Sequence, residues 1–193
     1  MRFLVIYAHP VKDSFVSAVH QRAVAALKGA GHEVDDCDLY AEGFQPVLSR
    51  EERIAYHNVG ANQGHVAKEI ERLRRCDGLV LVFPTWWYGM PAILKGYIDR
   101  VWLPGVVFKL DRGRTQPILD NVERFAVVTT YGSPWWLNKL IFDPNRSMLM
   151  RGIRLLFPRV PRALWLAQYG MDSADAAARE KFLHKVEREL REL

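Results

Sequence analysis

The sequence is short of the features that define several large protein classes. Only two of its 193 residues are cysteine, Cys37 and Cys76. With no CxxC partner and no ligand cluster beside them, the pair reads as two reduced, buried thiols, a single disulfide being the alternative. The apolar opening Phe3-Leu4-Val5-Ile6-Tyr7 is too short for a signal-peptide core and has no small-residue cleavage site behind it. No run approaches the eighteen or so uncharged apolar residues of a membrane span. A cytoplasmic location is the expectation. His, Asp and Glu never cluster at metal-ligand spacing, so no metal is expected. The chain also lacks GxGxxG, a P-loop and a GxSxG elbow, which argues against a Rossmann grip on a nucleotide, a P-loop NTPase and an α/β-hydrolase.

Acids are scarce in one place. The whole chain carries 27 Lys and Arg against 22 Asp and Glu, a net charge of +5. In the stretch from Lys139 to Arg162, six cations (Lys139, Arg146, Arg151, Arg154, Arg159 and Arg162) face the single acid Asp143. No nucleic-acid reader motif accompanies them, so nucleic acid is not an expected partner. Cofactor or dinucleotide phosphates, or an anionic surface, would suit the patch as well.

What is present is an alternation of strand and helix signals from end to end. Residues 2–8 read as a strand buried on both faces, 78–84, 125–130 and 163–167 as further strands, and the weaker, more polar 33–39 as an edge. Phe15, Val19, Ala23, Ala26 and Leu27 recur at helical spacing behind Ser14, a suitable N-cap, and Gly29 and Gly31 stop that helix. Further helices are expected over about 64–75, from Pro91 as first helical residue, and from about Ser173. The pattern predicts one flavodoxin-like domain over 1–193: an α/β three-layer sandwich with a five-stranded parallel sheet, order 2-1-3-4-5, and helices on both faces. The connection from Gly132 to Pro161, rich in Trp, Phe, Leu, Met and Arg, is long enough to suggest a function.

In open α/β sheets, ligands bind beyond the carboxyl ends of the strands, and three loops leave such ends. Ala8 to Val16 runs from a strand tip into a helix N-terminus, where free N–H groups suit a phosphate; Ser14 and His9 add donors. Each alone also has a plainer reading, Ser14 as a cap and His9 as a turn closure. Pro84-Thr85-Trp86-Trp87-Tyr88-Gly89-Met90-Pro91 sets three aromatics at a strand tip, where they cannot all enter the core. A flat aromatic cofactor such as an isoalloxazine would be served by such rings and by the loop amides; an aromatic plug or an oligomer interface is the plain alternative. Thr129-Thr130-Tyr131-Gly132-Ser133 offers hydroxyl and amide donors on the far side of the same crevice.

These loops resemble, in order and spacing, the NAD(P)H:quinone reductase family of flavodoxin-like fold. The resemblance runs through Ala8-His9-Pro10, Asp38-Leu39-Tyr40, Phe44 to Ser49, Phe83 to Gly96 with its P-A-I-L-K-G helix start, and Thr129-Thr130. It implies FAD, with FMN as the alternative, NAD(P)H as electron donor, a quinone-type acceptor and a homodimer. By the same resemblance His9, Ser14, Phe15 and Val16 would hold the flavin phosphate. Pro84, Thr85, Trp86, Trp87 and Tyr88 would line the isoalloxazine, and Thr129, Thr130, Tyr131 and Gly132 its other side. Trp87 and Tyr131 are the candidate catalytic residues. Tyr131 stands where many relatives have glycine, and the family's downstream Tyr and His fall by counting near Leu137 and Asp143, where neither type is found. Some relatives are ancillary subunits of membrane transporters, and a regulatory flavoprotein is the alternative reading. For segment 135–162, a dimer surface covering the flavin is expected in preference to peripheral membrane contact.

Overall fold

A computed structural model describes residues 1–193. The chain runs through β1 (Arg2–Tyr7), α1 (Phe15–Gly29), β2 (Glu33–Asp38), α2 (Arg50–Ala55), α3 (Ala67–Arg75), β3 (Gly78–Thr85) and α4 (Ala92–Val101). It continues with β4 (Phe108–Asp111), β5 (Arg114–Pro117), β6 (Arg124–Tyr131), α5 (Trp135–Leu140), α6 (Pro144–Ser147), β7 (Leu164–Gln168) and α7 (Ala176–Arg191). The main sheet is parallel with order β2-β1-β3-β6-β7, the expected 2-1-3-4-5 among its own five strands.

Alternation along the central strands sorts the core into two layers. Phe3 and Val5 of β1, Val80 and Val82 of β3, and Ala126 and Val128 of β6 pack on the face covered by α1 and α7. Leu4, Ile6, Leu79, Leu81, Phe83, Phe125 and Val127 pack on the opposite face under α3 and α4. A strand buried on both faces has no polar position to spare, so these segments read as unbroken apolar runs. The polar β2 is an edge, as expected. Cys37 and Cys76 are free and buried.

Several expected boundaries move. A 3₁₀ turn, Ala61–Val66, precedes α3, so the helix expected from Gly64 starts at Ala67. Pro91 keeps an extended ψ of 148° and is the N-cap of α4, not its first residue. The last helix starts at Ala176, capped by the Asp175 side chain, because Met171–Ser173 forms a separate 3₁₀ turn. The antiparallel hairpin β4–β5 was not expected; its strands are four residues each and almost wholly exposed, so they carry no burial pattern. Gly96 is forced by packing: a Cβ there would meet the Pro46 carbonyl oxygen, which lies against α4. No helix is long and apolar enough to cross a membrane.

Candidate active site

At the tip of β1, His9 Nδ1 lies 3.0 Å from the Val11 amide and 3.1 Å from the Val11 carbonyl oxygen, so the ring is tied to its own turn in either tautomer. With Nδ1 accepting, a neutral His9 ring carries its proton on Nε2 and can donate from there. Ser14 accepts from the Ser17 amide at 3.1 Å and so caps α1. The amides of Phe15 and Val16, the first two of the helix, have no acceptor within the protein. They leave a free donor pair at the positive end of the helix dipole.

At the tip of β3, Trp86 and Gly89 exchange both backbone hydrogen bonds at 3.0 Å. The two residues between them, Trp87 and Tyr88, have φ of 49° and 60°. A two-residue turn of this hand is ordinarily made by Asn and Gly. Placing two bulky aromatics in it costs on the order of 1–3 kcal/mol each, and such strain concentrates at functional sites. Packing does not offset it at Trp87, which is 98% exposed. The Trp87 and Tyr88 amides donate to nothing in the protein.

The floor between β3 and β6 is a hydroxyl chain. Asn145, buried, donates to Thr85 Oγ1 at 2.9 Å, and Thr85 Oγ1 is paired with Thr129 Oγ1 at 2.9 Å. Beside it Tyr131 donates to Asp143 Oδ1 at 2.7 Å, and Tyr169 to Asp143 Oδ2 at 3.1 Å. The two rings stack with centroids 4.7 Å apart. Burial first, then the Asp143 carboxylate, pushes the Tyr131 hydroxyl well above its ordinary pKa, and burial raises Tyr169 too. Asp143 itself has φ of 42° and accepts from the Arg146 amide, capping α6.

The loops enclose a cleft of about 470 Å³, within the range of small-molecule and cofactor sites. His9, Ser14, Phe15 and Val16 line one side and Pro84, Thr85, Trp86 and Trp87 another. Thr130 and Gly132 complete the set brought together from the sequence. Three residues named with them lie off the cleft wall: Thr129 and Tyr131 are buried behind it, and Tyr88 faces outward at the turn. Met171 and Asp172 line the cleft without having been foreseen. They leave the tip of β7, so the strand-tip rule that picked the other loops applied to them as well. A Cβ on Gly132 would come within 2.5 Å of Asp172 Oδ2, the free end of an exposed side chain, so the tips of β6 and β7 stand side by side at the cleft. A larger groove of about 730 Å³ runs between β7 and α7, but none of the three donor-bearing loops reaches it.

The architecture and the position of the cleft define a doubly wound α/β protein with its site beyond the strand tips. Residues 1–151 match the model of the flavodoxin-like fold family, and the chain belongs to that family. It is 36% identical over 134 residues to an uncharacterized NAD(P)H oxidoreductase of Haemophilus influenzae, covering 67% of this chain and 64% of that protein. To NAD(P)H dehydrogenase (quinone) 1 of Rattus norvegicus it is 32% identical over 149 residues, 68% of this chain and 54% of that protein. The match therefore spans about half to two thirds of these relatives' length. An NAD(P)H:quinone oxidoreductase from Methanothermobacter marburgensis superposes with a TM-score of 0.87 at 29% identity, over 99% of this chain and 98% of that one.

Proposed function

We propose that the protein is a flavin-dependent NAD(P)H oxidoreductase that reduces quinone-type acceptors. The observation that carries the reading is the pairing, across one cleft, of the free Phe15 and Val16 amides with the strained Trp86–Gly89 turn. The first suits a phosphate and the second presents two unpartnered amides and two indoles to a flat ring. The donor set thus fits a flavin at both ends. The relatives' names, NAD(P)H oxidoreductase and quinone dehydrogenase, support the donor and acceptor classes.

A flavin, when bound, would supply the redox chemistry, hydride transfer from NAD(P)H and on to the acceptor in two separate half-reactions of ping-pong type. The protein's part is binding and orientation. Ser14, the Phe15 and Val16 amides and His9 Nε2 hold phosphate oxygens. The unpartnered Trp87 and Tyr88 amides would offer donors to the ring, and the Asn145–Thr85–Thr129 chain would hold Thr85 of the cleft wall in place. The Trp87 indole forms a wall for nicotinamide and acceptor in turn. Tyr131 acts as a positioning residue, since its hydroxyl is committed to Asp143 behind the wall.

We favour FAD over FMN: Arg179, whose guanidinium stands 6.0 Å over the ring of cleft-lining Phe15, would be the residue to meet an adenosine half. A second copy of the chain is the expected partner, and exposed apolar side chains such as Val47, Ile54 and Val59 would suit such a contact. The free thiols of Cys37 and Cys76 fit a reducing, cytoplasmic setting.

Steady-state rates with NADPH and menadione, each varied against the other, test the reading. Parallel double-reciprocal lines are expected. A flavin that NAD(P)H reduces but menadione fails to reoxidise would point to the regulatory alternative, and a protein holding no flavin would defeat both.

A further inference from the structure

Two hydroxyls and an amide meet at the tip of β3. Asn145 Nδ2 and Thr129 Oγ1 each lie 2.9 Å from Thr85 Oγ1. Asn145 and Thr129 are buried, at 1% and 0% exposure, while Thr85 is half-buried and lines the cleft. The Asn145 amide nitrogen can only donate. Thr129 Oγ1 has no hydrogen-bonding partner other than Thr85.

The sense of the hydroxyl pair follows from what each group can give and take. Were Thr85 to donate to Thr129, the Thr129 proton would be buried with no acceptor, a cost that folded proteins avoid. The opposite sense satisfies both neighbours. Thr129 and Asn145 each donate to Thr85 Oγ1 and occupy its two lone pairs, and the Thr85 proton is the one left over. The Tyr131 hydroxyl stands close to Thr85, but it gives its own proton to Asp143 and makes no hydrogen bond of ordinary geometry with Thr85. The Thr85 proton thus has no acceptor within the protein, and Thr85 borders the cleft.

Asn145 is a second, independent sign. Its Oδ1 is buried without a donor, so placing this amide costs the fold one unmet polar group. Its Nδ2 makes a single hydrogen bond, to Thr85. An apolar residue would fill the space without that cost, but could not fill a lone pair on Thr85.

Resting on the flavin reading, we propose that the Thr85 hydroxyl, compelled to donate by Asn145 and Thr129, hydrogen-bonds a nitrogen or carbonyl oxygen of the flavin ring and sets its reduction potential. Those ring atoms accept, and they carry more negative charge when the ring is reduced. A fixed donor beside them favours the reduced ring over the oxidised one and makes the flavin a readier hydride acceptor. Asn145 and Thr129 act only through Thr85 and are positioning residues.

An equilibrium redox titration of the full chain loaded with FAD, beside a binding titration of the flavin-free chain, is the test. Thr85→Val is nearly isosteric and removes the hydroxyl. Oxidised FAD should bind about threefold more weakly and reduced FAD about fifteenfold more weakly, the larger loss falling on the more charged ring. That fivefold difference lowers the two-electron midpoint potential by about 20 mV, at about 30 mV per factor of ten. Thr85→Ser keeps the hydroxyl and should restore both affinity and potential. Asn145→Ala takes one donor from Thr85 but leaves its proton, so the flavin-free chain should melt lower while the potential moves less than in Thr85→Val. An unchanged potential in Thr85→Val, or a shift that Thr85→Ser fails to restore, overturns the proposal. So do equal shifts in Thr85→Val and Asn145→Ala, which would make the chain of bonds a brace for the wall and nothing more. Each of these leaves the flavin reading standing; an unaltered chain that binds neither FAD nor FMN defeats that reading and the donor assignment together.

Discussion

The Tyr131 hydroxyl donates to Asp143 Oδ1 at 2.7 Å across a turn whose backbone is left-handed at both Phe142 and Asp143. One buried carboxylate thereby ties the tip of β6 to the segment whose Asn145 supports Thr85 of the cleft wall. Asp143→Ala leaves two phenols without their acceptor and a non-glycine residue in the same strained conformation. Hydrogen bonds to charged groups contribute about 1.5–3 kcal/mol each. A loss of about 3 kcal/mol is expected, a fall in Tm of roughly 6–12 °C for a chain this long. Asp143→Asn keeps one acceptor oxygen and should recover about half (order of magnitude). Calorimetry of both variants checks the ordering.

The same cluster sets the alkaline limit. Folding raises the pKa of Tyr131 and Tyr169 through burial first and the Asp143 charge next. Below the unfolded value near 10, both states hold the phenolic protons and stability does not vary with them. Above it the unfolded chain releases protons that the folded chain keeps, so the stabilisation is lost as pH rises. Burial pushes the Cys37 and Cys76 thiols up to about 12, and they act in the same direction from about pH 8.5. Urea midpoints should fall steadily from about pH 9 upward, and Tyr131→Phe should make that fall shallower.

At Trp87, strain and function separate. Trp87→Gly removes a positive-φ penalty and an indole that touches almost nothing. Stability should hold or rise by up to about 1 kcal/mol. On the proposed reading kcat/KM for quinone falls at least tenfold, roughly the 1.4 kcal/mol of one lost aromatic wall. Thermal melts and initial rates on the same preparation read both effects.

Ser14→Ala tests the phosphate end. Loss of the bond to the Ser17 amide costs about 1 kcal/mol of stability, seen in the apoprotein melt. Flavin Kd should rise about tenfold, the loss of one donor to a charged oxygen, measured by quenching of free-flavin fluorescence. A change in stability without a change in Kd would reduce Ser14 to a helix cap.

Much of this was legible in the sequence because β1, β3 and β6 are apolar on both faces, and their tips are where such sheets bind ligands. Ser14 was readable as a cap since Phe15, Val19 and Ala23 set the helical phase behind it. Asn145 and Asp143 were not legible as site supports: each acts through a partner sixty or twelve residues distant, which no local period encodes. The hairpin β4–β5 escaped for the opposite reason, being too short and too exposed to show alternation. The left-handed backbone at Trp87 and Tyr88 is the reverse of what their residue types favour, so only the three-dimensional turn could reveal it.

The central claim is that the cleft between Phe15 and Trp87 holds a flavin. Titration of the flavin-free protein with FAD and with FMN, followed by fluorescence, tests it most directly. Saturable binding at one site per chain is expected, tighter for FAD than FMN, and weakened together by Ser14→Ala and by Gly132→Val, which drives a side chain into Asp172. Failure of the protein to bind either flavin, or binding that neither substitution alters, would contradict it.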